Sequence, residues 1–289
     1  MSNDHLVSKT YLKWFENNEI NKVYCTSYRE TRGLSQWSSV SQKDRAQICY
    51  EIDRYESGTE EVFQQRFEND WDLFIQHLNQ FDFKTYTNNH YKKNIILTND
   101  QVILVLNFMI IHYKRSVRFK EQNKKDQAVT SNLKQLQKEL KRELTQKDID
   151  KFHKTVDNLI AQEPQLESVE KLKKIPWILY INNSKTPFIT SSTPVIWHNE
   201  IEGIGIFSPI TPSFSILIPF LPLQEKEGIF FENINDKDVE KFNQLTKEAN
   251  IKDNPGIPMI ISNRKDVLQT LTTNLTPHQC PPSPTPSKN

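Results

Sequence analysis

Glycine is scarce in this chain, six residues of 289 against fifteen prolines. No phosphate-cradling glycine fingerprint is present, and few loops can depend on glycine's conformational freedom. Cysteine is scarcer still: Cys25, Cys49 and Cys280 are scattered, odd in number and without CxxC spacing. That pattern argues against a structural zinc ribbon and for reduced thiols in a cytoplasm. Charge of one sign is also missing, since the formal net charge is +1 and the pI about 7.7. No global field drives the protein onto nucleic acid or acidic lipid. The longest apolar run is about half of the ~20 residues a membrane span needs, so no membrane association is expected. The opening MSNDHLVSKTYLKW has no signal-peptide apolar region, and a cytoplasmic protein is the expectation. What is present is aromatic: ten per cent of residues are Phe, Trp or Tyr, which favours packed cores over disorder.

The most apolar stretch is Thr98 to Phe119, TNDQVILVLNFMIIHYKRSVRF. Thr98 followed three residues later by Gln101 forms a capping box, which predicts a helix start there. Between Val102 and Ile111 only Asn107 is polar, so this helix belongs inside a core, covered on every side. At its exit Phe108, His112, Arg115 and Phe119 fall on one face at helical spacing. A buried helix that delivers His112 and Arg115 at its end is a candidate floor for a site. Beyond it lie six cations, Lys114, Arg115, Arg118, Lys120, Lys124 and Lys125, against two acids, Glu121 and Asp126. Such a patch can contact phosphates, although a solvated helix end whose cations complement the dipole explains the lysines equally well.

Around that rod, the N-terminal segment carries His5, Tyr11, Leu12, Trp14 and Phe15, an aromatic density that implies docking onto the body. Residues 21–28 alternate like a strand, and loop chemistry follows them. Gln47 to Tyr55 is a second strand candidate placing Glu51, Asp53 and Tyr55 on one face. Two carboxylates so spaced can bind a cation or share a proton, but a solvated strand face is the plainer reading. Ser57 and Glu60 form another capping box before an amphipathic helix striped by Phe63, Phe67, Trp71, Phe74 and Leu78. Glu61 and Glu68 sit one heptad apart on it. Glu68 borders the stripe one turn before Trp71, the setting in which general acids are tuned, or it is a surface glutamate paired with Arg66. Residues 127–163 read as a protruding helical hairpin broken at Thr145 and Asp148. From Pro176 onward, short strands dominate (WILYIN, PFITSSTPVIW, GIGIF, SILIPFLPL). Prolines restrict the last of these to a sheet edge or an irregular strand. A helix over 236–250, the strand PMIIS and a short helix over 264–271 complete one α+β domain, residues 1–275. It has a largely helical N-terminal half around the buried central helix and a mostly antiparallel β-sheet in the C-terminal half. The proline-rich residues 276–289 read as a disordered tail.

Several of these pieces, in this order, resemble the bacterial domain-of-unknown-function family 4238. The family opens with His-x-x-Pro-x-x-Tyr-Leu-x-x-Phe, and His5 through Tyr11-Leu12 to Phe15 is similar. Glu51-Ile52-Asp53-Arg54-Tyr55 resembles its acidic strand, Glu61 and Glu68 its paired glutamates, and Arg115 the arginine after its apolar helix. Phe188-Ile189-Thr190-Ser191-Ser192-Thr193-Pro194-Val195 is similar to its Phe-Ile-Thr-Ser-Asp-x-Pro-Val turn. Pro209 to Pro212 resembles its Pro-Leu-Ser-Pro, and Asn243 matches a late asparagine helix. The likeness spans residues 5 to about 268. Two departures stand out: Ser8 replaces the first proline, and Ser192 replaces the turn's aspartate. Were that aspartate a metal ligand or base in relatives, Ser192 would remove the activity or transfer the role to another group.

The resemblance implies a shared fold and a list of polar positions. A histidine, a carboxylate, an arginine and a hydroxyl turn suit acid–base work on an anionic substrate. The first expectation is therefore a hydrolase or nuclease-like effector acting on a phosphoryl group of a nucleic acid or an anionic small molecule. His5 would be general base or metal ligand, Glu68 acid–base or ligand, and Arg115 the anion clamp beside His112. Tyr11, Thr190, Ser191 and Ser192 would contact the substrate; Glu51, Asp53 and Glu61 are additional acids. No cofactor is named by the sequence, although the set is compatible with a divalent metal. The alternative is a binding or regulatory module, such as a component of a stress or phage-defence locus. A third reading makes the same residues structural ties, with Glu68 and Arg115 a buried pair.

Overall fold

The fold is described from a computed structural model of the chain. It describes residue 7 and residues 9–31, 34–45, 47–48, 69–81, 83, 97–115, 127–140, 143–150, 166–197, 205–219, 229–253 and 258–273. In chain order, a short helix α1 (Lys9–Lys13) is followed by strands β1 (Val23–Thr31), β2 (Leu34–Trp37) and β3 (Ser41–Lys43). Helices α2 (Asn69–Gln80), α3 (Asn99–Arg115), α4 (Gln127–Leu140) and α5 (Leu166–Lys173) come next. Strands β4 (Trp177–Asn182), β5 (Thr190–Ser191), β6 (Ile196–Trp197), β7 (Ile206–Thr211), β8 (Phe214–Ile218) and β9 (Ile229–Ile234) follow. Helix α6 (Asp236–Asp253), strand β10 (Met259–Ser262) and helix α7 (Lys265–Thr273) end the described chain.

The central helix forms where its cap predicts. The Thr98 backbone N–H donates to Gln101 Oε1 at 2.9 Å, and the Gln101 N–H returns to Thr98 Oγ1 at 3.2 Å, satisfying two donors that the helix start leaves open. From Leu104 to His112 every side chain of α3 except Asn107 is buried. Trp71, Phe74 and Leu78 of α2 are buried as their stripe requires. The break at Thr145 is also a reciprocal cap with Asp148, at 3.0 and 3.3 Å.

The strands make two sheets. One runs β2-β1-β10-β5, with β3 also on β1; the other runs β6-β7-β8-β4-β9. All pairings in them are antiparallel except β4 with β9. The second sheet is covered on both faces, and the period of two shows in its side chains. Trp177, Leu179 and Ile181 of β4, with Phe214, Ile216 and Ile218 of β8, enter the main core with α1, α2, α3 and α5. The alternate residues, Tyr180 and Leu217, pack instead on Val239, Phe242 and Leu245 of α6. Strand β10 and helix α7 close the first sheet through Ile260, Val267 and Leu268.

Three expectations need correction. The N-terminal half is not simply helical. The stretch after residue 28, read as loop, extends β1 to Thr31 and folds back as β2, in register from Tyr28↔Trp37 to Thr31↔Leu34. Its many polar residues masked the strand, because this edge of the sheet alternates little between apolar and polar. Gln47 does not open a strand. Asp44 and Gln47 form a capping box at 2.8 and 3.2 Å, and the backbone turns helical. Finally, β8 lies in the sheet interior between β7 and β4, because Pro219 falls just past its last residue and Pro222 further on. Residues 51–55, 57–68, 116–126, 151–163 and 276–289 lie outside the described residues, and so do the expectations that fell on them.

On the α6 side, Glu232 of β9 faces Tyr180 of β4 in register. Partial burial lifts the Glu232 carboxyl above the usual glutamate range, and the Asp238 charge lifts it further. A carboxyl with a raised native pKa contributes stability below its unfolded pKa and loses it as pH rises through the native one. Glu232→Gln should therefore flatten the decline in stability as pH rises through and past the usual glutamate range, and leave the variant the more stable at the upper end. Urea midpoints across that range check this; a variant as pH-dependent as the parent contradicts it.

Candidate functional site

Tyr11 occupies the point where the two sheets meet. Helix α1 turns its ring inward against Phe15, Trp71, Phe108 and His112, with centroids 5.2, 6.2, 5.1 and 6.2 Å away. Trp71 of α2 stacks on Phe108 of α3 at 4.3 Å, so three helices share one aromatic cluster. The Tyr11 hydroxyl emerges from this cluster into polar company. It donates to the Pro209 carbonyl at 2.6 Å and lies 2.7 Å from Thr190 Oγ1. A carbonyl only accepts, so the phenol proton goes to Pro209 and Thr190 is the donor to Tyr11. Pro209 belongs to β7 and Thr190 to β5, which places one oxygen between two sheets. The carbonyl is presented where the β7–β8 register shifts between Pro209 and Thr211. Full burial pushes the Tyr11 phenol far above its usual range, only partly offset by the Thr190 hydrogen bond, so Tyr11 stays neutral.

His112 is 2% exposed, its ring 4.3 Å from that of Phe108 and tilted to it. Arg115 is the last residue of α3, one turn beyond His112. The structure thus gathers Tyr11, His112 and Thr190 in one buried region, with the Arg115 backbone at its helical border. His5, Glu68, Glu51, Asp53 and Glu61 lie outside the described residues. The chain resumes after Glu68 with α2, whose Trp71 meets both Tyr11 of α1 and Phe108 of α3, while Trp14, just past α1, donates from Nε1 to Asp72 at 2.9 Å. Among the described residues no group of three His, Cys, Asp or Glu side chains is placed to hold a metal ion.

The hydroxyl turn is buried throughout and makes internal bonds. Ser191 Oγ donates to the Thr193 carbonyl at 2.8 Å and accepts from the Thr193 N–H at 3.1 Å. Ser192 Oγ accepts from Asn250 Nδ2 at 3.0 Å and from the Met259 N–H at 3.3 Å. Serine at this position also donates to Asn250 Oδ1 at 3.5 Å, and so joins the β5 segment to α6 and β10.

Sequence reasoning missed Asn250 and the Pro209 carbonyl. The signal for the first was spacing: Asn243 and Asn250 are seven apart on α6 and therefore on one face. Both are buried. Asn243 Nδ2 donates to the Pro187 carbonyl at 2.9 Å while its Oδ1 accepts from the Ile189 N–H at 2.9 Å. The side-chain amide thereby pairs with this segment's backbone as a neighbouring strand would.

The model of the family described as "Protein of unknown function (DUF4238)" matches residues 3–250, and the chain belongs to that family. No curated protein and no solved structure matches it. No helix among the described residues is long and apolar enough to cross a membrane.

Asn243→Ala removes the partner of two buried backbone groups at once, each worth about 1–3 kcal/mol when left unsatisfied. The variant should lose at least about 2 kcal/mol in urea unfolding, with an unchanged slope. A loss below about 0.5 kcal/mol, the size of an ordinary surface substitution, would contradict the role given to this amide.

Proposed function

We propose that the protein is a hydrolase, nuclease-like in its chemistry, acting on a phosphoryl or other anionic group in the bacterial cytoplasm. The reading is carried by the convergence of α1 and α2 on the stretch of α3 that holds His112 and leads to Arg115. The residues that precede those two helices in sequence include His5 and Glu68. The carbonyl end of a helix carries partial negative charge and does not itself attract an anion. Holding a phosphoryl group there falls to Arg115, whose planar fork matches two of its oxygens. His5 and Glu68 then serve as general base and acid, or as ligands of a divalent metal, with His112 as a further acid–base group. Tyr11, neutral at every working pH, positions the α1 end of this assembly.

A non-enzymatic binding or regulatory module, as in a stress or phage-defence locus, is the second reading. It is favoured by the internal use of the hydroxyls of Thr190, Ser191 and Ser192.

The test is turnover of p-nitrophenyl phosphate, its bis-ester and a single-stranded oligonucleotide, each with and without Mg²⁺ or Mn²⁺. Glu68→Gln and Arg115→Ala should each lower kcat/KM by about 10²–10⁴-fold while the protein remains folded. Absence of turnover on all three substrates, or full activity in both variants, would retire the hydrolase reading in favour of the binding module.

A further inference from the structure

Lys247 stands on the buried side of α6 between Asn243 and Asn250, and only 2% of it is exposed. A lysine is almost never sequestered to this degree without a partner. Its ammonium donates to the Leu271 carbonyl at 2.6 Å and to Gln244 Oε1 at 3.4 Å. Leu271 belongs to the last turn of α7, where carbonyls lack helical partners and the macrodipole is negative. Lys247 is thus a C-terminal cap that one helix delivers to the end of another.

Apart from that attachment, α7 has little to hold it. Its nine residues fall short of the about 12–15 at which an isolated helix becomes even marginally stable in water. Three of its last four residues are threonines, β-branched and poor helix formers. The hydroxyls of Thr270, Thr272 and Thr273 turn back onto carbonyls four residues earlier, at 3.0, 2.9 and 2.8 Å, a contact that weakens a helix slightly. Val267 and Leu268 are the buried side chains of α7, and they close a small cluster with Ile189 and Ile260, apart from both larger cores. Before the first turn, Arg264 donates to the Lys185 carbonyl at 2.5 Å and pairs with Asp266, but these contacts are exposed and contribute little. Ile189 and Ile260 lie on the back of the β10–β5 pair, whose other face presents Thr190 to Tyr11.

We propose that α7 is a clasp that opens as a unit while the rest of the fold stays closed, with the Lys247–Leu271 hydrogen bond as its catch. Opening uncovers Ile189 and Ile260 behind the strand pair that carries Thr190. A short element with few buried apolar contacts is where local opening begins. The device is independent of the hydrolase reading.

Hydrogen exchange of the full chain, read by mass spectrometry in urea concentrations below the unfolding transition, tests the clasp. Relative to their intrinsic rates, amides 269–273 should exchange at least about 100-fold faster than those of β4, through an opening that urea hardly promotes. Lys247→Met keeps the apolar stem and removes the donor. It should speed amides 269–273 by about 10-fold and leave β4 unchanged, and Lys247→Arg should restore most of the protection. In the native chain, exchange of 269–273 as slow as that of β4, or with the same urea dependence, overturns the clasp without recourse to any variant. Unchanged or slower exchange of α7 in Lys247→Met, or equal acceleration of α7 and β4, overturns the catch.

Discussion

One phenolic oxygen constrains how the two sheets of this protein sit together. The Tyr11 hydroxyl is fully buried and makes two short hydrogen bonds, to a carbonyl on β7 and a hydroxyl on β5. These partners lie 198 and 179 residues away in the chain. Burying a phenol without partners is costly, so the site is stable only when both strands are correctly placed. The ring below adds apolar area and contacts to α2 and α3, which couples the helical layer to the same point. The sheets are also bridged from the opposite side. Helix α6 fills the outer face of the second sheet with Phe242, which stacks on Phe207 at 4.7 Å, while Asn243 and Asn250 hold the β5 segment of the first.

Much of this was legible before any coordinate. The α3 cap could be read from Thr98 and Gln101 because a capping box is a local, chemically specific pattern. Its burial could be read because only Asn107 interrupts the apolar run. The aromatic stripe of α2 and the strands from Trp177 onward followed from period. What escaped was set by distant partners. Residues 29–31 and 34–37 carry weak apolar alternation, so only their pairing to one another identifies them as strands. Strand β8 looked like an edge because its prolines were counted with it, whereas the strand stops one residue short of them. The IFFENI stretch became a parallel neighbour of β4, a pairing that no local signal specifies.

The candidate site divides along the same line. Tyr11, His112 and Thr190 were singled out from segments far apart in sequence, and all three lie in one buried region. Their roles could not be read from residue type alone. Tyr11 and Thr190 contribute hydrogen bonds that hold sheets together, and Ser192 bonds to both α6 and β10. The hydroxyls of this turn are buried and hydrogen-bonded to the protein itself. His112 and Tyr113 lie near the end of α3, where the Tyr113 ring stacks on that of Trp197.

The most direct test of this account is a double-mutant cycle on Tyr11→Phe and Thr190→Val, read by urea unfolding of the full chain. A shared joint predicts a coupling energy of about 1–3 kcal/mol between two residues that local structure does not connect. Losses that add to within about 0.3 kcal/mol would show that the two side chains act independently, and that something other than this oxygen sets the sheets against each other.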